Sequence, residues 1–308
     1  MKKVCVFPGQ GSQTVGMGKD LYDNFSVAKD VFNQVDNALD FKLSDIIFNG
    51  SNDDLTKTEN AQPALLAMSM AVWAVLQSEC GLKITDFEYA AGHSLGEYSA
   101  LCAVQALSLT DATRLLRKRG LAMSKAASEN KGLMAAIIGM EKNDVQHLAE
   151  ATGCFIANDN SLGQIVISGS VENIEQACVK AKEMGAKRAL PLNVAGAFHS
   201  PLMQSAADEM KQVFTTTDFN LPVIPVVSNV LAQPVSDTEK IKELLFQQIT
   251  GQVRWTETIQ WLKNQGVDTI IEIGAGKVLT GLVKRIETDI ATFNVFDISS
   301  IDELKNTL

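Results

Sequence analysis

The chain has 308 residues, 46% of them hydrophobic and 20% charged, with a formal net charge of -9. Such a composition is ordinary for a soluble globular protein, and the length points to a large domain with a smaller one. The negative balance argues against non-specific nucleic-acid binding, which needs many lysines and arginines to neutralise phosphates.

In chain order, Val4 to Phe7 is a continuous apolar run ended by Pro-Gly, which predicts a buried strand feeding the glycine-rich loop FPGQGSQTVG. The run after Lys2 and Lys3 is too short for a signal peptide. Pro63 sits where a helix could begin, and ALLAMSMAVWAVL is apolar nearly all round, as in a buried helix. This longest apolar stretch is too short to span a bilayer, so no membrane partner is expected and the expected location is cytoplasmic. The five cysteines are scattered with no C-x-x-C pair, consistent with small buried hydrophobes in a reducing compartment.

A short strand is predicted near Glu88 to Ala91, followed by GHSLGEY and a helix. A second helix runs from Thr110, the expected N-cap, through RLLRKRGLAMSKAA. LMAAIIGM, CFIAND, QIVISG and KRALPLNV then read as strands, with EKNDVQHLAEAT and VENIEQACVKAKEMG as helices. That β-α-β-β-α-β order predicts a ferredoxin-like subdomain at 128–196, inserted into a larger domain formed by 1–127 and 197–308. Ser200-Pro201 is expected to cap a helix to about Phe214, and PVIPVVSNV and TIIEIG to be buried strands. Between those strands, helices are predicted at Ile241 to Ile249 and Trp255 to Asn264. Strands alternating with helices predict an α/β fold with a mainly parallel sheet covered on both faces.

GHSLGEY has the G-x-S-x-G form of a nucleophile elbow, which lifts Ser94 clear of the sheet at a helix start. A glycine-rich turn with an incidental serine is the plain alternative. Of the three histidines, His93 should point away from its neighbour Ser94, and His147 lies in a polar helix. His199, in the loop AGAFHSP, is left as the base, and a seat before a helix N-terminus should keep it neutral. No acid completes a triad. Asp159 falls in the right order without being singled out, and a backbone carbonyl could orient the imidazole equally well.

Arg119 continues the apolar stripe of Ala112, Leu115 and Leu116. An inward guanidinium needs an anion: an internal Asp or Glu, or a substrate carboxylate held by its planar fork. Exposure at the helix end is the other possibility. FPGQGSQTVG has Thr14 where a dinucleotide loop needs glycine, and GAGKVLTG has Leu279 there. Both are poor nucleotide signatures; the first could supply oxyanion-hole amides.

FPGQGSQ, QPALL, GHSLGEYSAL, the arginine in RKRG, NSLGQIVISG, GAFHSPLM, VRW and EIGAGKVLTGLVKR, in this order, resemble the malonyl-CoA:acyl carrier protein transacylases over nearly the whole chain. The resemblance implies a hydrolase-like α/β domain with an inserted ferredoxin-like subdomain. It implies Ser94 as nucleophile, His199 as base, Arg119 on the malonyl carboxylate, and the Gln10 and Leu95 amides as oxyanion hole. It implies that a backbone carbonyl at Gln248 orients the histidine, although Gln252 stands before VRW where the family commonly has proline. Phe198 matches the malonyl form of its motif, with little room for an α-methyl branch. The implied partners are malonyl-CoA and acyl carrier protein, with no metal or other cofactor, and the pathway is fatty acid synthesis. Lys187-Arg188 and Lys284-Arg285 are candidates for docking an acidic carrier protein. The alternatives are a free-standing polyketide-type acyltransferase, a serine esterase or phospholipase, and a non-catalytic scaffold.

Overall fold

The computed structural model describes residues 2–307, a mixed α/β fold built on two sheets. Strand β1 (Lys3–Phe7) is flanked on both faces, so its residues Val4 to Phe7 are wholly buried. Four helices follow: α1 (Lys19–Asn24), α2 (Ser26–Leu39), α3 (Leu43–Asn49) and α4 (Asn52–Thr56). A linear reading passes over them, although Ala28, Phe32 and Val35, spaced four and three apart and all buried, mark the inward face of α2. Helix α5 (Thr58–Cys80) is long and apolar enough to cross a membrane, but most of it is buried inside the fold against α2 and α7 (Leu109–Glu129). It begins before Pro63, which lies inside the helix within its second turn. The N-cap of α7 is Ser108, whose hydroxyl accepts from the Asp111 amide, so Thr110 already lies within the helix.

Strand β2 (Tyr89–Gly92) pairs in parallel with β1 and leads into α6 (Gly96–Ala103). Next come β3 (Gly132–Ile138), α8 (Lys142–Thr152), β4 (Phe155–Ser161), β5 (Gln164–Ser170), α9 (Val171–Glu183) and β6 (Arg188–Pro191). A 3-10 turn at Pro201–Met203 precedes α10 (Gln204–Thr215), and the Ser200 side chain caps neither. The stretch PVIPVVSNV yields only β7 (Val226–Val227), because Pro222 and Pro225 have no amide hydrogen to give a ladder. The chain continues through β8 (Pro234–Val235), α11 (Thr238–Thr250), β9 (Val253–Arg254), α12 (Trp255–Asn264), β10 (Thr269–Ile273), α13 (Val278–Ile286), β11 (Ala291–Val295) and α14 (Ile298–Lys305).

The first sheet has the order β11-β10-β1-β2-β7-β8, parallel except where β8 returns against β7. The second has the order β6-β3-β5-β4-β9 and is antiparallel except at its last pair. Helices α8 and α9 cover it with a separate apolar cluster that includes Val145, Leu148, Ile167 and Ile174. Strand β9, from the far part of the sequence, adds to β4 in parallel through Asn158↔Val253 and Asp159↔Arg254. A cleft opens between the loops that follow β1 and β2 and the second sheet.

The turn between β2 and α6 leaves no space for side chains at its glycines. A Cβ on Gly92 would lie 1.9 Å from the Gly96 carbonyl oxygen, and one on Gly96 would lie 2.2 Å from that of Phe7. Neighbouring backbone cannot move aside as a side chain can. We expect Gly96→Ala to lower the unfolding free energy by about 3 kcal/mol or more, measured by denaturant titration.

Candidate active site

Ser94 occupies the tip of this turn with φ 54, a left-handed conformation that non-glycine residues adopt only when the surroundings impose it. Asn229, buried in the loop after β7, supplies the clamp. Its Oδ1 accepts the Ser94 amide at 2.7 Å, and its Nδ2 donates to the Gly92 carbonyl at 2.6 Å. The Ser94 hydroxyl is thereby directed into a cleft of about 600 Å³ that is also lined by His93, Leu95, Gln10, Arg119, Phe198 and His199.

His199 Nε2 lies 2.8 Å from Ser94 Oγ, and its Nδ1 lies 2.8 Å from the carbonyl oxygen of Gln248 in the last turn of α11. A carbonyl can only accept, so the Nδ1 hydrogen points at Gln248 and leaves Nε2 free to take the serine proton. Gln252 before β9 does not displace this carbonyl. His199 also has a positive φ of 56 and is almost fully buried. Burial, followed by the nearby Arg119 charge, pushes its pKa down to about 3. Dehydration and a cation therefore keep it neutral. Asp159 is engaged elsewhere, accepting from Thr256 Oγ1 at 2.6 Å and pairing with Lys142 at 2.9 Å.

His93 turns away from the nucleophile, with Nε2 at 2.8 Å from Asn160 Oδ1 and its ring edge-on to Trp255. His147 is exposed on α8. Phe198 is buried against the cleft, where the Ser168 hydroxyl donates to its carbonyl. Among the described residues, no acceptor engages the backbone amides of Gln10 or Leu95. Both basic pairs, Lys187-Arg188 and Lys284-Arg285, are exposed.

Arg119 is 1% exposed, on the inward stripe with Ala112, Leu115 and Leu116. Its Nη1 donates to Gln62 Oε1 at 2.8 Å, and its Nη2 donates to Gln248 Oε1 at 3.0 Å and to Ser94 Oγ at 3.1 Å. The Tyr98 ring lies 5.6 Å beneath the guanidinium. Among the described residues no carboxylate lies within ion-pair distance, and Nε has no acceptor. The buried cation thus rests on neutral oxygens beside the nucleophile, an arrangement ready for an anion carried by a ligand.

Sequence reasoning misses Gln62, Glu97 and Asn229, and the amide side chain of Gln248. Gln62 stands just before the apolar run of α5, beside the polar residues of its first turn, and no pattern there marks it. The others join segments more than a hundred residues apart, with no local pattern to mark them.

The glycine-rich segment GAGKVLTG has a different task. Buried Glu272 on β10 accepts the backbone amides of Leu279 and Thr280 at 2.9 and 2.7 Å. The start of α13 is therefore filled by the chain's own carboxylate, which leaves those amides closed to a phosphate.

A family model described as acyl transferase domain matches residues 4–296. A malonyl CoA-acyl carrier protein transacylase of Bacillus subtilis (strain 168) is 46% identical over 314 residues, covering 100% of this chain and 98% of its own length. Among solved structures, an acyl-carrier-protein-S-malonyltransferase from Bartonella henselae matches with a TM-score of 0.97 at 50% identity, over 100% of this chain and 99% of its own. A malonyl-transacylase in complex with its type II PKS acyl-carrier protein matches at 0.96 and 39% identity, over the whole of both chains.

Proposed function

This chain belongs to the acyl transferase domain family, and from that premise we propose that it moves malonyl groups from malonyl-CoA to acyl carrier protein for fatty acid synthesis. The observation that carries the reading is a buried guanidinium with no carboxylate within ion-pair distance among the described residues, 3.1 Å from a serine hydroxyl that is itself 2.8 Å from a neutral imidazole.

In the proposed cycle His199 takes the Ser94 proton as Oγ attacks the thioester carbonyl. The oxyanion forms against the amides of Gln10 and Leu95, where one donor is worth about 3 kcal/mol. Coenzyme A leaves as a thiol, carrying the proton held by His199, and a malonyl-serine ester remains. Arg119 meanwhile binds the free malonyl carboxylate through its two terminal nitrogens. The phosphopantetheine thiol then enters, His199 accepts its proton, and the same steps run in reverse. Phe198 narrows the cleft on the side where an α-methyl branch would sit. No step calls for a metal or redox cofactor.

We read the fold as a hydrolase-like domain of residues 1–127 and 197–308, with a ferredoxin-like subdomain at 128–196. The observed β6-β3-β5-β4 order and its two covering helices support that division. The working location is the cytoplasm. Mixing the protein with malonyl-CoA should give one malonyl adduct by intact mass, mapped to Ser94 by peptide analysis and absent from Ser94→Ala. A wild-type enzyme that stays unmodified would return the chain to the scaffold class. The similarity to a malonyl-transacylase bound to a type II PKS carrier favours a second reading, transfer to a polyketide-type carrier. Turnover measured side by side with the two carrier proteins separates them.

A further inference from the structure

Beneath Arg119 lies a second buried charge that the cycle above does not use. Glu97, in the first turn of α6, is 4% exposed. Its Oε2 accepts Gln248 Nε2 at 2.7 Å and the Asn229 amide at 3.1 Å. The other end of the same Gln248 amide, Oε1, accepts Arg119 Nη2. A carboxylate and a guanidinium thus face each other across one glutamine side chain. Because the carboxylate takes the NH2 end, the oxygen end must face the arginine.

Resting on the reading of Arg119 as the malonyl seat, we propose that Glu97 is the resident counter-ion of Arg119 and that it sets how tightly the site holds a carboxylated acyl group. Without ligand, and with Glu97 ionised, the buried cluster carries one positive and one negative charge. A malonyl group adds a second anion to the same guanidinium, and ionised Glu97 then opposes it. The repulsion is relieved if Glu97 takes up a proton as the acyl group loads. Burial pushes its carboxyl up to about 7, against the lowering effect of the Gln248 and Asn229 hydrogen bonds and the Arg119 charge. The other titratable groups of the cluster are Tyr98, whose phenol burial pushes well up, and His199 and His93, both held low by burial. Among them Glu97 is the group pushed towards neutral pH.

The sign follows from this charge count. Below its titration Glu97 is neutral and malonyl binds without opposition, whereas above it the anion opposes the acyl carboxylate. The KM for malonyl-CoA, divided by that for acetyl-CoA at each pH, should rise about fivefold between pH 6 and pH 8. Acetyl-CoA carries the same phosphates, so their ionisation cancels in the ratio. In Glu97→Gln, whose side-chain oxygen can still accept from Gln248 and Asn229, the ratio should be lower at pH 8 and flat with pH. A flat wild-type ratio, or a slope that survives in Glu97→Gln, overturns the proposal.

Should the variant fail to fold, the wild-type protein provides the same decision. Acyl transfer from thioester to serine releases no net proton. Malonyl-CoA in weak buffer near pH 7.5 should therefore draw up to one proton per enzyme, and acetyl-CoA none. Equal uptake from both would contradict a counter-ion role. If malonyl never appears on Ser94, the functional reading falls and this inference with it; if it loads and the ratio is flat, only the inference falls.

Discussion

Replacing His199 with alanine is expected to lower kcat/KM for malonyl transfer by about 10⁴-fold or more, since a nucleophile and its base act as one unit. Single-turnover mixing should place the loss in formation of the acyl-enzyme. The geometry explains the size of the effect. Nε2 is 2.8 Å from Ser94 Oγ, and Nδ1 is fixed by a carbonyl that cannot rotate away as a side chain could. Burial and Arg119 hold the imidazole pKa at about 3, so the base form persists far below the 6.5 of a free histidine. Loading by acetyl-CoA, which leaves the arginine seat empty, should consequently stay level from pH 8 down to pH 5. A loss of rate centred near pH 6.5 would show that His199 titrates like an exposed imidazole.

Arg119→Ala is expected to lower malonyl transfer by about 10³-fold, the worth of two hydrogen bonds to a charged group at roughly 2 kcal/mol each. Transfer of acetyl should survive or increase, because an acetyl group leaves the guanidinium with nothing to bind. The neutral partners of Arg119 are what make this contrast large. Gln62, Gln248 and Ser94 hold the fork in place by hydrogen bonds without neutralising it. Arg119→Lys should recover little, since a single ammonium cannot reproduce the planar fork. Equal losses for malonyl and acetyl transfer would remove the carboxylate role.

Some parts of this site are written locally in the sequence. The elbow is a pattern of five residues whose glycines answer to contacts of 1.9 and 2.2 Å. The inward direction of Arg119 follows from helical spacing within α7, and β1 is a plain apolar run after Lys3, while β10 is apolar apart from Thr269 and Glu272. What resists reading depends on the meeting of distant segments. Asn229 reaches Ser94 across 135 positions, and Gln248 reaches Arg119 across 129. A glutamine in an amphipathic helix looks the same whether its amide meets water or a buried guanidinium. The burial and the Arg119 charge that lower the His199 pKa were similarly hidden, since both are products of the fold. Cap positions shifted for a smaller reason, as Ser108 and Thr110 are both competent caps and only the path of the chain decides between them.

The two-residue pairing of β9 with β4 also bears on how this chain acquires its shape. The other four strands of that sheet lie between residues 132 and 191, but its last edge is closed by Val253 and Arg254. During synthesis the strands β3 to β6 therefore emerge with the β4 edge uncovered, and that edge must wait some sixty residues for its partner. Bare strand edges recruit other chains, so the interval is the vulnerable stage of biogenesis. Closure is reinforced by Lys142, which pairs with Asp159 and with Glu257 at 2.9 Å each. A fragment cut at 128–196 should accordingly self-associate, while the 308-residue chain hides that edge beneath the same segment that carries the carbonyl of its histidine.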